Sequence, residues 1–410
     1  MSICITHTNY FDDKCSNCKL EYRQLKGSDE ITKNYNEKKE LRNRIISRLK
    51  EQGFILEPNL RLTNYTKKNY KFLQVKARQD QLAIHKRFIL KTFDIAKKYS
   101  IDGNKINPEK ISLRLIEIKE RTIEEKLFRW WNFIWWSIPY QHPYGRQLRF
   151  LLWDDAHDAP FGLINLQSPI FKMSVRDKFL EIPKEELDVW VNRSLSAQRV
   201  GALPPYNELI GGKMVALAMT SNEVRNIYKN KYKNSVTLLR KRKINADLLF
   251  ITTTSAFGKS SIYDRLKYQG EIVAQSLGYT QGFGSFHLPD EIYYDLIKFL
   301  QRNGINALRQ YGNGPSRKLK LLHRAFTMLG LDNFSLHGIK REFYLFPLVK
   351  NLKEVITLEQ KPLFYDRNLI NLTEYWKTRW ANPRSKNFTK WKDFKSEKFF
   401  KKQETELMNI

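Results

Sequence analysis

The chain has 410 residues, 41% of them hydrophobic, enough for two or three packed domains and too many for a chain disordered throughout. Seventy-two Lys and Arg stand against 43 Asp and Glu, a net charge of +29, so polyanions are the expected partners and nucleic acid comes first among them. No run of about eighteen apolar residues occurs, so no membrane-spanning helix is expected; the nearest approach, FRWWNFIWWSIP at 128–139, is short and interrupted by Arg129.

All three cysteines lie in CITHTNYFDDKCSNC, 4–18. Cys4 and His7 are separated by two residues, as are Cys15 and Cys18. At that spacing one tight turn supplies two ligands, and two such turns complete a tetrahedral site. The pattern predicts a zinc-binding element over 1–22 with Cys4, His7, Cys15 and Cys18 as ligands. Its role would be structural, because four protein ligands leave no open position. A frayed terminus with free thiols is the alternative. Three cysteines cannot all pair and no signal peptide precedes them, so a reducing, cytoplasmic setting is expected.

Residues 23–105 read as a basic helical region. A helix is predicted over 29–53, capped by Ser28 or Asp29, with Leu41, Ile45 and Leu49 on one face. A longer one is predicted over 66–98, with Leu82, Ile89, Phe93 and Ala96 on one face and Lys67, Lys76, Arg78, Lys86 and Lys97 among the cations of the other. Asp102-Gly103 and Pro108 then punctuate the chain. Over 106–355, LRFLLW (148–153), FGLINL (161–166), VWVNRSL (189–195) and LLFITTT (248–254) read as strands. Helices are predicted over 206–230, 260–277, 290–303 and 315–329. The fold class is therefore α+β, a mixed sheet with interspersed helices. Residues 356–410 form a basic aromatic C-terminal extension. Within it, 376–402 carries ten Lys or Arg against two acids, interleaved with Trp376, Trp380, Phe388, Trp391, Phe394, Phe399 and Phe400. Cations that track phosphates and rings that stack bases suit nucleic acid; packing of the rings onto the core is the alternative.

Three stretches look unlike generic core. In VGALPPYNELIGGKMVALAM (200–219) a strand meets two prolines and a helix whose free N–H groups suit an anion, with Asn207, Gly211, Gly212 and Lys213 as candidates. Two glycines in a helix cost about 1 kcal/mol each, so something approaches closely there, a ligand or another backbone. In LLFITTTSAFGKSSIYDRL (248–266), GKSS resembles the end of a P-loop. Thr253 stands where the first glycine belongs, so an ATPase is rejected. An anion site of Lys259, Ser260 and Ser261 remains, with Asp264 a catalytic candidate or the pairing partner of Lys259. GYTQGFGSFHL (278–288) leads to His287, a candidate acid or base. Arg176 and Asp177 in SVRDKFL are further catalytic candidates or a buried ion pair. HExxH, GxSxG, an HNH-like cluster and a P-D…ExK core are missing, and the cysteines are committed to the zinc element.

The series GRQLRFLLWDD, PFGLINLQSPIFKMSVRDKFL, VGALPPYNELIGGKMVALAMTSNEV, ITTTSAFGKSSIYDRLKYQG, LGYTQGFGSFHLP, YGNGPSRKLKLLHRAF and LHGIKREFYLFPL resembles the DruA family of the Druantia anti-phage defence systems, from about Leu127 to Trp380. RDKFLEIP departs from the family's run after Asp177. The resemblance implies a role beside a helicase-like partner and other Druantia subunits. It brings no established reaction, so whether the chain is an enzyme stays open.

Two readings of different class follow. One is a nucleic-acid-binding subunit, on DNA first, with Arg317, Lys318, Lys320, Arg341, Trp376, Arg379, Arg384 and Lys386 as contact candidates. The other is a transferase. The strand leading into PPYN and its helix, with another strand beside it, resembles the layout of GNAT-type acyltransferases, where a helix N-terminus receives the donor's pyrophosphate. Gln198-Arg199-Val200-Gly201 resembles their Q/R-x-x-G turn, although Pro204-Pro205 intrudes. Nuclease activity is a weaker third.

Overall fold

The computed structural model describes residues 2–3, 10–11, 29–55, 60–62, 66–141, 143–237, 240–282, 288, 290–307, 315–331, 334 and 337–410. The chain divides into two compact units, Met1–Ala77 with Thr280–Lys340, and Arg78–Tyr279 with Arg341–Ile410. In the first, the helix Asp29–Glu51 buries Leu41, Ile45 and Leu49, the three residues whose four-residue spacing predicts it. Glu37 and Arg44 on that helix pair with Arg302 and Asp295 of the helix Asp290–Arg302. The helix Pro315–Met328 packs beside the latter.

The second unit is built on a seven-stranded sheet. In chain order its strands are β1 (Leu113–Glu117), β2 (Gln147–Asp154), β3 (Ala159–Gln167), β4 (Ser194–Ala202), β5 (Phe250–Thr254), β6 (Gln275–Tyr279) and β7 (Glu342–Pro347). Their spatial order is β1-β2-β3-β4-β5-β7-β6. Every neighbouring pair is antiparallel except β4 and β5. Both faces of the central strands β2, β3, β4, β5 and β7 are buried, which is why β2, β3 and β5 read as continuous apolar runs rather than alternations. Phe150, Leu152, Ile164, Ile251 and Phe346 face one layer with the helices Gly211–Ala218, Asn222–Tyr232 and Leu369–Trp376. Leu151, Trp153 and Leu163 face the other, with the helices Ile123–Ile134 and Ser396–Met408.

Several expectations change. The helix Ile123–Ile134, started by the Thr122 cap and Glu125, takes up most of the aromatic run that the sequence leaves unassigned. It is amphipathic: Leu127, Phe128, Trp130, Trp131, Phe133 and Ile134 are buried, while Lys126 stays exposed and Arg129 half-buried. VWVNRSL is not one strand: Leu187–Val191 is a helical turn whose Leu187, Trp190 and Val191 pack inward, and β4 begins at Ser194. A short apolar run does not distinguish the two by period. The helix predicted over 260–277 is replaced by a turn, a short hairpin (Lys267–Tyr268 with Glu271–Ile272) and β6. Arg265, Gln269 and Gly270 all take positive φ there, which no helix accommodates. The helix predicted over 66–98 breaks at Thr92, whose hydroxyl donates to the Phe88 carbonyl. The one predicted over 206–230 is split at Ile210, which sits at φ 60°.

The two helix glycines differ in what they touch. A Cβ on Gly211 would lie 2.6 Å from the Tyr206 carbonyl oxygen and 2.9 Å from the Ala202 Cβ, whereas one on Gly212 would meet only the Ile262 side chain, 3.1 Å away. Gly211→Ala is therefore expected to destabilise by about 1–3 kcal/mol through overpacking. Gly212→Ala should stay within about 1 kcal/mol of wild type, since helix propensity offsets a yielding contact. Urea unfolding of both variants checks this; equal effects would contradict the packing.

Candidate functional site where the sheet divides

β4 and β5 share only three rungs, Ser194↔Phe250, Leu195↔Ile251 and Ser196↔Thr252. Beyond them β4 continues with β3 alone. A bulge leaves Gln198 unpaired between the rungs Leu166↔Ala197 and Asn165↔Arg199. Such an extra residue bends the strand and re-aims its side chains. The Thr253 hydroxyl donates to the Ala197 carbonyl at 2.8 Å, and the Trp135 indole to the Ala202 carbonyl at 3.1 Å. Residues 135–141 lie over this part of the strand. Arg199 Nη2 donates to the Ile138 carbonyl and Gln198 Nε2 to the Gln141 carbonyl, both at 2.6 Å. The Asn165 amide donates to Gln198 Oε1 at 2.5 Å. Arg199 is almost wholly buried, and burial lowers its pKa to about 10, with Tyr140 opposing.

On the opposite face, the two glycine-containing motifs meet. The chain leaves β4 through a cis Pro204–Pro205 bond into the turn Tyr206–Leu209 and the helix Gly211–Ala218. Tyr206 is held from below by Asp154, a fully buried carboxylate that also accepts from His157 Nδ1 and the Ser112 and Ala156 amides. Lys213 Nζ donates to the Ile262 and Asp264 carbonyls, each at 3.2 Å, and Gly212 faces Ile262. Burial lowers the Lys213 pKa, opposed by the charge of Asp264. Gly211, Gly212, Lys213 and the segment around Ser260 and Ser261 are thus brought together, but by packing: the ammonium is already committed to two carbonyls. Asn207, the remaining member of that set, bonds instead to Glu208 Oε1.

Lys259 pairs with Asp264 at 3.3 Å on the surface. No helix starts at Ser260. Instead the loop is anchored through Glu342. Tyr344 Oη donates to Glu342 Oε2 and Ser276 Oγ to Oε1, while the Ser260 amide donates to Tyr344 Oη. The Ser255 amide and hydroxyl bond to the Glu342 backbone. Glu342 is buried, and this carboxylate held by two hydroxyls has no counterpart among the sequence candidates. Its only sequence signal is a charged residue opening an apolar strand.

The other candidates scatter. Arg176 and Asp177 form the buried ion pair, Nη2 to Oδ1 at 2.6 Å, with the guanidinium also on the Ile170 and Phe171 carbonyls; this set braces the start of the helix Ser174–Phe179. Trp376 is fully buried, its indole donating to the Ile210 carbonyl, so it cannot stack on a base. Arg384 is spent on the Glu208 carbonyl and the Phe388 ring. Trp391 and Phe400 are buried, and Phe400 stacks on Trp130 at 5.0 Å. Arg379, Lys386 and Lys320 face solvent, Lys318 lies over the Tyr293 ring, and Arg341 is half-buried. His287, the Arg317 side chain, and Cys4, His7, Cys15 and Cys18 lie outside the described residues. Near the last four, Ser2 pairs with Phe11 and Ile3 with Tyr10.

Two substitutions separate surface from anchor. Lys259→Ala should change stability by no more than about 0.5 kcal/mol, as for most exposed pairs. Glu342→Ala strands the buried Tyr344 hydroxyl and should cost about 1–3 kcal/mol. Chemical denaturation of both on one preparation decides it, and a loss at Lys259 as large as that at Glu342 would refute the assignment.

Residues 64–357 match the family described as "Druantia protein DruA". A Druantia protein DruA from Escherichia coli (strain UMEA 4076-1) is 33% identical over 354 residues, covering 84% of this chain and 87% of the relative. No solved structure matches the chain. The matched region spans every strand of the seven-stranded sheet and both glycine-containing motifs, and the chain belongs to the DruA family.

Proposed function

We propose that this chain is a nucleic-acid-binding subunit of a Druantia antiviral defence system, acting on DNA beside a helicase-like partner. The observation that carries this reading is the division of labour within the C-terminal extension. Its large rings pack inward, while Arg379, Lys386, Lys390, Lys392, Lys398, Lys401 and Lys402 are exposed, none within ion-pair distance of a carboxylate among the described residues. Cations without acidic partners are available to neutralise phosphates. The contact is therefore electrostatic rather than a stacking platform.

The salt dependence of binding tests this. Affinity for an oligonucleotide should fall steeply as salt rises, because each neutralised phosphate releases counterions. Replacing Lys398, Lys401 and Lys402 together by Gln should flatten the log–log slope by about 2 to 3 on duplex DNA. Unchanged slopes in that variant, measured by fluorescence anisotropy, would remove the extension from the account.

A transferase with a GNAT-like core is the second reading. It is favoured by the strand order, by the single parallel pair that separates after three rungs, and by the helix that follows β4 after one turn. Against it stands the packing of the helix start by Ile262 and Trp376.

For the N-terminus, the paired C-x2-H and C-x2-C spacings support a structural zinc held by Cys4, His7, Cys15 and Cys18. Elemental analysis of chelator-free protein should find about one zinc per chain, reduced by Cys15→Ser. Less than about a tenth of an equivalent in folded wild type would sink the site.

A further inference from the structure

Arg149, Asn165 and Arg199 stand directly opposite one another on β2, β3 and β4. Residues paired in this way project from the same face, so two guanidinium groups flank one amide. The Tyr140 hydroxyl lies among them: burial raises its pKa, and Arg149, Arg199 and Arg129 all act on it, as does the Asn165 amide. No carboxylate pairs with any of these three arginines among the described residues. Arg199 is 5% exposed, its Nε has no hydrogen-bond partner, and its guanidinium lies 5.5 Å from the Trp136 ring. Asn165 is fully buried, and its Oδ1 also has no partner. The contrast with Asp154, whose every neighbour is a donor bonded to it, is direct. Of the three arginines only Arg199 is buried, and burying a cation without an anion is costly, which a structural brace for one carbonyl does not require. Arg149, Trp136 and Tyr140 remain half-exposed, so the cluster opens to solvent at the edge of the 135–141 segment. That segment is fixed from outside by Gln81, whose amide bonds both to the Tyr140 carbonyl at 2.6 Å and from its N–H at 2.7 Å.

We propose that Arg149, Asn165 and Arg199, with Arg129 and Tyr140 beside them, form a binding site for the phosphate of a nucleotide. Planar guanidinium forks match phosphate oxygens, and the half-exposed Trp136 ring offers a face to the base. The ligand is either a free nucleotide or the phosphorylated end of a strand; both present the same group. The site is separate from the exposed lysines of the C-terminal extension, so either can fail alone.

The test uses the full chain and three probes: inorganic pyrophosphate, adenosine diphosphate and a 5′-phosphorylated oligothymidylate. Calorimetric titration should show pyrophosphate and adenosine diphosphate binding to wild type. Arg149→Gln, at a half-exposed position, should weaken this by at least about tenfold with no change in melting temperature, the loss expected for one charge-assisted hydrogen bond. Arg199→Gln should abolish binding without lowering the melting temperature, since it removes an unpaired buried charge. Replacing Lys398, Lys401 and Lys402 by Gln should leave pyrophosphate binding intact. Competition between the oligonucleotide and pyrophosphate would identify the strand end as the ligand, and its absence a free nucleotide; both support the site. Failure of wild type to bind any probe overturns the proposal. So does binding unchanged by Arg149→Gln, or an Arg199→Gln variant that melts lower while binding normally, which would make the cluster a brace for the 135–141 segment.

Discussion

Much of the second unit follows from one constraint: β4 and β5 run parallel for three rungs and then part. A strand losing a neighbour exposes backbone groups that must find other partners. Here the Thr253 hydroxyl and the Trp135 indole supply two of the hydrogen bonds. The bulge at Gln198 turns that residue and Arg199 toward the 135–141 segment, whose carbonyls they cap. The same separation frees the chain after Ala202 to turn through the two prolines into the helix that covers the opposite face. The segment, the turn and the helix are all responses to the missing rungs.

Buried polar groups in this unit fall into two kinds. Asp154 and Glu342 are carboxylates surrounded by donors, and each ties a loop to a strand end. They are closed networks, and closed networks rigidify. The arginines around Tyr140 are the reverse case, charges whose protein partners are carbonyls and rings. Ligand sites in open sheets tend to lie where neighbouring strands diverge, and the cationic cluster lies at that position.

Charge and packing are separated along the C-terminal extension. Trp376, Trp391 and Phe400 fill gaps against the sheet and the helix Ile123–Ile134, and truncation of any of them would cost about 3–5 kcal/mol. Lys377 and Lys395 tie the extension to residues 102–109, while Lys386, Lys390, Lys392 and Lys398 between them are exposed and have no carboxylate partner among the described residues. One short sequence therefore closes the core and presents a basic surface.

Read alone, the residues define a basic α+β chain, the helices 29–53, 290–303 and 315–329 to within two residues, the runs that became β2, β3 and β5, and the family motifs. These are local signals, readable from four-residue spacing, apolar runs and turn residues. Which motifs meet depends on the folded chain. Lys213 and Lys259 look alike in sequence, each after a glycine; one is committed to buried carbonyls and the other to a surface carboxylate. Trp376 reads as a stacking residue until the Ile210 carbonyl takes its indole. Arg149, Asn165 and Arg199 lie on three separate strands, fifty residues from first to last, and no periodicity relates them. Their alignment depends on strand register, and register is set by pairing and by one bulge, which are long-range properties absent from any local window.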